Sequence, residues 1–349
     1  MVRAWARIAA ALLLALAVAG AAPCAAAAPL QKLTLVIGGR AFFYIVHYIA
    51  QDAGFFKEEG LDVDTVNVLT GPQQVAAVMG GSADVAPVGL QVVVQAYAKG
   101  GDIVAVSTCY NMFPIALVVS NEGIKETGLS ASMPIDEKVR RLHGLKIGIT
   151  GPGSGTDDMV RALFLNRGMD PDKEVTILPL GTPDNMLAAL QKGNATAMSY
   201  TSPVTEIAVS KGLGQIIIEP LKGEVPEFRD VPYIVLSTSR ATLESKRPLI
   251  KAAVRAYTRA IKFVAEHREE ARRLVRPYFT DMSADDAVFN AAFDKYVHGA
   301  PTSPVITPEQ VQKTADLLSI SKKQKVAVGY TDVVYPDLAR EAGEDILGH

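Results

Sequence analysis

Leu33-Thr-Leu-Val-Ile-Gly-Gly39 returns 112 residues later as Leu145-Lys-Ile-Gly-Ile-Thr-Gly151. Each copy is an apolar run that closes on a glycine-containing turn, the pattern of a buried strand leading into a loop. The same offset lays Asp62-Val63 over Glu174-Val175, Val75–Val78 over Leu187–Leu190, and Gly81–Val85 over Gly193–Ala197. Four segments in register without a gap describe one supersecondary unit used twice.

Within the first unit, Lys32–Ile37 predicts a strand and Gly38-Gly39 its turn. Tyr44–Glu59 follows with apolar residues at helical spacing (Ile45, Tyr48, Ile49, Ala53, Phe56) and stops at Gly60. Leu61–Leu69 alternates as a strand. Gly71-Pro72 opens a helix that runs to Met79 and stops at Gly80-Gly81, and Asp84–Val88 is a third strand. The second unit repeats this from Lys146, Glu174 and Ala197. Strands alternating with helices predict an α/β fold, each unit a mostly parallel sheet flanked by helices.

Two such units predict two lobes. Ile115–Ser120 leaves the first unit and Tyr233–Ser237 follows the second, so these apolar runs are read as two antiparallel hinge strands. Lobe 1 then comprises residues 28–118 and 236–349, and lobe 2 residues 119–235. Asn121–Leu142 is polar and turn-rich, a surface insertion. Pro248–Val275 reads as one long amphipathic helix, with helices near Ala284–Val297 and Pro308–Leu318 packing behind lobe 1.

Residues 1–27 read as a secretory leader: Arg3 and Arg7, an apolar run Ile8–Gly20, then small residues through Ala28. That run is too short to span a bilayer comfortably, and no later segment is long and apolar enough. The expected location is therefore the periplasm. Cys24 follows Ala21-Ala22-Pro23, a poor lipoprotein site, so lipid anchoring is not expected. Cleavage leaves Cys109 alone, without an internal disulfide partner. A formal net charge of −2 gives no polybasic footprint for nucleic acid or anionic lipid.

Ligands of parallel α/β sheets sit beyond the carboxyl ends of the strands, where helix N-termini gather. On the first unit that rim is Gly39-Arg40-Ala41-Phe42-Phe43-Tyr44. Arg40 offers a planar fork for a carboxylate, sulfonate or phosphate, and Phe42, Phe43 and Tyr44 offer faces for a flat ligand, although one of them is expected to be a core residue. Gly89 lets backbone approach a ligand, and Tyr110-Asn111 form a polar-aromatic cluster before the first crossing. On the second unit, Ser154, Gly155 and Thr156 open a helix and present hydroxyls and N–H groups, while Tyr200-Thr201-Ser202 complete the rim.

Other chemistries fail on spacing. Gly151–Gly155 lacks the Gly-Lys-Ser/Thr ending of a phosphate loop and is not a nucleophile elbow. The histidines at 47, 143, 267, 298 and 349 show no zinc-ligand spacing, so no metal and no cofactor are expected. Nothing activates Cys109 as a nucleophile.

Tyr48-Ile-Ala-Gln-Asp-Ala-Gly-Phe-Phe-Lys-Glu-Glu-Gly-Leu-Asp-Val63 resembles the signature of the nitrate/sulfonate/taurine-type substrate-binding proteins of ABC importers. Gly81–Ala86, Gly151–Thr156 and Ala188–Ala195 resemble further stretches of that superfamily, which includes binders of thiamine pyrimidine precursors. The resemblance covers about residues 32–320. It implies a type II periplasmic binding protein fold closing on a ligand, with contacts at Arg40–Tyr44, Gly89, Tyr110–Asn111, Ser154–Thr156 and Tyr200–Ser202. It also implies a permease and an ATPase as partners; a monomer is expected, since a closed dimer would obstruct docking on them.

A small organic anion such as a sulfonate or carboxylate is the first expectation, a neutral heteroaromatic such as a pyrimidine its rival. A binding-protein-like sensor and a pyrimidine-synthase-like enzyme are the further alternatives. The resemblance associates a cysteine-rich iron-binding segment with that enzyme, and this sequence has no such cysteine cluster, which argues against the enzyme reading.

Overall fold

β1 (Gln31–Ile37) and β2 (Leu61–Asn67) pair in parallel, with Leu33 opposite Val63. This is a computed structural model that describes residues 29–68, 70–282 and 286–348; the predicted leader and Cys24 lie outside the described residues. A parallel bridge from Leu35 to Val85, with the Val36 N–H donating to the Val85 carbonyl at 3.1 Å, ties β1 to β3 (Ala86–Gly89). β10 (Ile234–Thr238) then lies between β3 and β4 (Val104–Tyr110), antiparallel to both. The order is β2-β1-β3-β10-β4.

The second sheet has the same plan. β7 (Thr176–Pro179), β6 (Lys146–Ile149) and β8 (Ala197–Thr201) are parallel neighbours. β5 (Ile115–Ser120) runs antiparallel between β8 and β9 (Gly214–Ile218), giving β7-β6-β8-β5-β9. The repeat read from Leu33 and Leu145 thus marks equivalent central strands, β1 and β6.

In each sheet the antiparallel strand comes from the other repeat. β5 follows β4 in sequence but joins the second sheet; β10 follows β9 but returns to the first. The two crossing strands therefore do not pair with each other, contrary to the expectation of an antiparallel hinge. Both edges of each are already occupied by its own sheet. Such burial on both edges and faces suits uninterrupted apolar runs, and every residue of β4, β5 and β10 is buried.

Two predicted helices are broken. Tyr44–Glu59 divides into a 3₁₀ turn Phe42–Tyr44, a helix Ile45–Asp52 and a short helix Phe55–Glu58, with Gly54 at φ 82° between the last two. Pro248–Val275 divides at His267 into Arg247–Glu266 and Arg268–Val275. Apolar spacing continues through both breaks, so periodicity alone conceals them. The insertion holds two helices of its own, Asn121–Thr127 and Ile135–Arg141.

The later helices do not stay with the first sheet. Asp286–Tyr296 packs on Val204–Ser210, which follows β8, and on the Phe42–Tyr44 turn. Pro308–Ser321 packs on both Leu90–Ala98 and Gly155–Leu165, one helix from each repeat. Among the described residues no helix is long and apolar enough to cross a membrane.

Candidate functional site

The carboxyl ends of β1, β3, β6 and β8 converge on one cavity of about 120 Å³. That is slightly less than the roughly 150 Å³ of an apolar cavity that takes benzene, a volume on the scale of a small molecule. Both sheets supply its walls: Gly38–Ala41, Phe43, Tyr44, Thr70, Gly71, Gln74, Val88 and Gly89 on one side, Thr150, Ser154–Thr156, Pro183, Tyr200 and Thr201 on the other.

These walls are related by the 112-residue repeat. Gly38 and Thr150, Phe43 and Gly155, Tyr44 and Thr156, Gly71 and Pro183, Val88 and Tyr200, and Gly89 and Thr201 are equivalent positions, and all line the cavity. A hydrogen bond is repeated as well. The Gly38 N–H donates to the Tyr44 hydroxyl at 3.2 Å, and the Thr150 N–H donates to the Thr156 hydroxyl at 2.9 Å. The loop after each first strand is therefore pinned by the hydroxyl of the residue six positions on.

Electrostatically the cavity is a ring of helix openings. Gly71, Gly155 and Pro183 are first residues of the helices Gly71–Met79, Gly155–Leu165 and Pro183–Gln191, and Gly89 caps Leu90–Ala98. Each opening carries unpaired N–H groups and a partial positive charge. No carboxylate is among the lining residues, and Arg40 stands at the exposed edge.

The second-repeat rim is organised by hydroxyls. Thr150 Oγ1 donates to Ser154 Oγ at 2.8 Å, Ser154 Oγ donates to the Gly151 carbonyl at 2.7 Å, and the Ser154 and Thr156 hydroxyls lie 2.8 Å apart. Ser154 also caps the helix by accepting from the Asp157 N–H at 3.4 Å. Capping and cavity lining are thus combined in the same residues.

Aromatic rings form the opposite wall. Phe43 meets Tyr44 and Tyr233 edge-on, with centroids 4.5 and 5.1 Å away. Burial pushes the Tyr44 phenol up to about 12, opposed by the Gly38 N–H and the Gln74 amide. Burial, and then proximity to Tyr44, raise Tyr200 and Tyr233 as well. All three phenols are neutral at physiological pH and retain a proton to donate.

Of the residues expected at the site, Arg40, Phe43, Gly89, Ser154, Gly155, Thr156 and Tyr200 line the cavity. Phe42, Tyr110, Asn111 and Ser202 do not. Phe42 is fully buried and stacks on Phe279 at 4.5 Å. Successive side chains of a 3₁₀ turn point about 120° apart, which sends Phe42 into the core and Phe43 to the cavity.

Tyr110, Asn111 and Ser202 belong to a buttress around Tyr296. Tyr110 donates to the Tyr296 carbonyl at 2.9 Å, and its ring covers Gly299, where a Cβ would collide with it. The Asn111 N–H donates to the Gly299 carbonyl at 2.8 Å, and its side chain accepts from Thr108 Oγ1. The Ser202 N–H donates to the Tyr296 hydroxyl at 3.3 Å, which donates to the Pro114 carbonyl at 3.0 Å. This network joins the end of β8 to the first crossing.

Sequence reading missed Thr70, Gln74, Thr150 and Tyr233. Two of them carry a repeat signal: Thr150 is the equivalent of Gly38, and Thr70 the equivalent of the helix-capping Thr182. Gln74 and Tyr233 had none. Among the described residues no cluster of His, Cys, Asp or Glu is arranged to hold a metal ion.

Across the cavity margin, Asp158 is tied to elements outside its own sheet. Gln95 Nε2 donates to one carboxylate oxygen at 3.1 Å and Lys322 Nζ to the other at 2.8 Å. Burial raises the Asp158 carboxyl, and the Lys322 ammonium opposes that shift.

Comparison with known proteins agrees with this architecture. A Bacillus subtilis protein named as a binding protein, YtlA, is 22% identical over 330 residues, covering 92% of each chain. A solved structure from Bordetella bronchiseptica RB50 is 27% identical with a TM-score of 0.76, covering 90% of this chain and 97% of that one. The alkanesulfonate-binding protein SsuA from Xanthomonas axonopodis pv. citri, solved with MOPS bound, is 18% identical with a TM-score of 0.66, covering 90% and 99%. It shares the periplasmic binding protein fold expected from the Tyr48–Val63 stretch. The sequence profile of the NMT1-like family matches residues 41–276, more than half of the chain, and the protein is a member of that family.

Proposed function

We propose that this chain is the extracytoplasmic solute-binding component of an ABC importer, capturing a small organic anion between two lobes. Lobe 1 comprises residues 28–118 and 236–349, lobe 2 residues 119–235, and the passages near 115–120 and 233–237 form the hinge. The observation that carries this reading is the cavity itself: helix openings from both sheets face it, and no carboxylate lines it. Arg40, Phe43, Gly89, Ser154, Gly155, Thr156 and Tyr200 make the contacts.

Capture proceeds by closure. In an open form each rim offers half of the partial positive charge. Contacts to both rims are made together only when the lobes meet, so the ligand favours the closed state by that difference. The permease and ATPase then recognise the closed shape. The protein acts as a monomer and performs no chemistry on its ligand. Its relatives' names support this role: one is named for binding aliphatic sulfonates, and solved neighbours are sulfonate- and nitrate-binding proteins.

A second reading is favoured by the rings of Phe43, Tyr44, Tyr200 and Tyr233 around the cavity, which suit a planar neutral heteroaromatic. Titrating wild type and Arg40→Ala with 1-propanesulfonate and with 4-aminopyrimidine separates the two. An anion binder loses at least tenfold in affinity on removing Arg40, whereas a pyrimidine binder is little changed.

A further inference from the structure

Two buried polar atoms on residues lining this cavity have no partner, one from each repeat: Gln74 Oε1 and Thr201 Oγ1. Gln74 is 2% exposed and Thr201 4%. Buried polar groups are satisfied in native proteins, so an orphaned pair on two residues that line one cavity marks where a ligand's own polar atoms belong.

The two atoms differ in what they ask for. A hydroxyl donates or accepts, so Thr201 adapts to either partner; an amide oxygen only accepts. The orientation of the Gln74 amide is set by its surroundings. Its Nε2 donates to the Val68 carbonyl at 3.3 Å, and it lies so close to Gly38 that a Cβ there would collide with it. Turning the amide over would set Oε1 against the Val68 carbonyl oxygen. In this orientation Oε1 has no partner in the protein.

From this we infer that the ligand carries an N–H or O–H donor that meets Gln74 Oε1. The inference rests on the capture role proposed above and narrows it. The ligand is a small hydroxylated or aminated molecule, its acidic or electron-rich end toward the helix openings and its donor toward Gln74. A purely apolar tail at that point would bury Oε1 unpaired, which is the means by which the site rejects it.

The test uses isosteric pairs that differ only in the donor: 2-hydroxyethanesulfonate against 1-propanesulfonate, 3-hydroxypropionate against butyrate, and 4-aminopyrimidine against 4-methylpyrimidine. Calorimetric titration of the wild-type protein is expected to favour the donor-bearing member of whichever pair binds by about tenfold or more, roughly 1.4 kcal/mol. In Gln74→Met the preference should shrink to near unity, with the thermal transition checked to confirm folding. Binding of both members with equal affinity to the wild type overturns the inference and leaves the capture role standing. Absence of binding by every probe counts against the capture role, and the inference falls with it.

Discussion

The hydroxyl of Tyr233 lies 2.6 Å from the point where a Cβ on Gly155 would stand. Tyr233 leads into β10, on the second crossing, and Gly155 is the first residue of a helix in the second repeat. A Cβ at Gly155 would also stand 3.1 Å from Ile115 Cδ1 and from the edge of the Tyr233 ring, so glycine suits this close approach. Tyr233 and Gly155 both line the cavity, so the second crossing meets a helix opening there.

Gly155→Ala should therefore displace the Tyr233 ring. The expected result is a folded protein with at least tenfold weaker binding of its ligand by calorimetry. Gly155→Ala combined with Tyr233→Phe removes the colliding oxygen and should recover part of that loss. Undiminished affinity in Gly155→Ala would show that the approach has no bearing on binding.

Phe42 and Phe43 should part company. Phe42→Ala empties a core position against Phe279 and should cost about 3–5 kcal/mol in a urea unfolding series. Phe43→Ala, half-buried at the cavity, should cost less stability and weaken ligand binding instead.

Lys322→Ala should weaken binding several-fold although Lys322 does not line the cavity. It leaves the Asp158 carboxylate buried with only Gln95 to hold it, which disfavours the closed arrangement. The ligand must then supply that difference on closing. Unchanged affinity would show that the contact is not coupled to closure.

His47 sets an acid limit. It is 3% exposed, its Nδ1 lies 3.0 Å from the Tyr257 hydroxyl, and burial lowers its pKa to about 4. In the unfolded chain the imidazole takes up a proton near pH 6.5, whereas the folded protein resists until about pH 4. The unfolded state binds more protons between those values, so stability falls as pH is lowered through that window, by roughly 3 kcal/mol from this residue. His47→Gln should flatten the dependence in urea melts at pH 6.5 and 4; an unchanged slope would assign the loss elsewhere.

Much of this was legible in the residues because the repeat is chemical as well as structural. Leu33 and Leu145 mark the central strands, and the 112-residue offset carries Gly89 onto Thr201 and Tyr44 onto Thr156, all at the cavity. The exchange of β5 and β10 between sheets was not legible, since an apolar run does not say which neighbour it pairs with. Nor was the division of labour between Phe42 and Phe43, which depends on a single 3₁₀ turn, or the inward position of Gln74, a polar residue on an otherwise ordinary amphipathic helix. Tyr110, Asn111 and Ser202 looked like ligands because they follow strands; the Tyr296 buttress that claims them comes from nearly two hundred residues away for Tyr110.

The central claim is capture of a small molecule, and a thermal-shift screen of the purified protein against sulfonates, nitrate, carboxylates and pyrimidines tests it most directly. The account predicts that one class raises apparent stability, by about 2.7 kcal/mol at a hundredfold excess over its dissociation constant. No shift from any class, in a folded protein carrying no co-purified ligand, would contradict it.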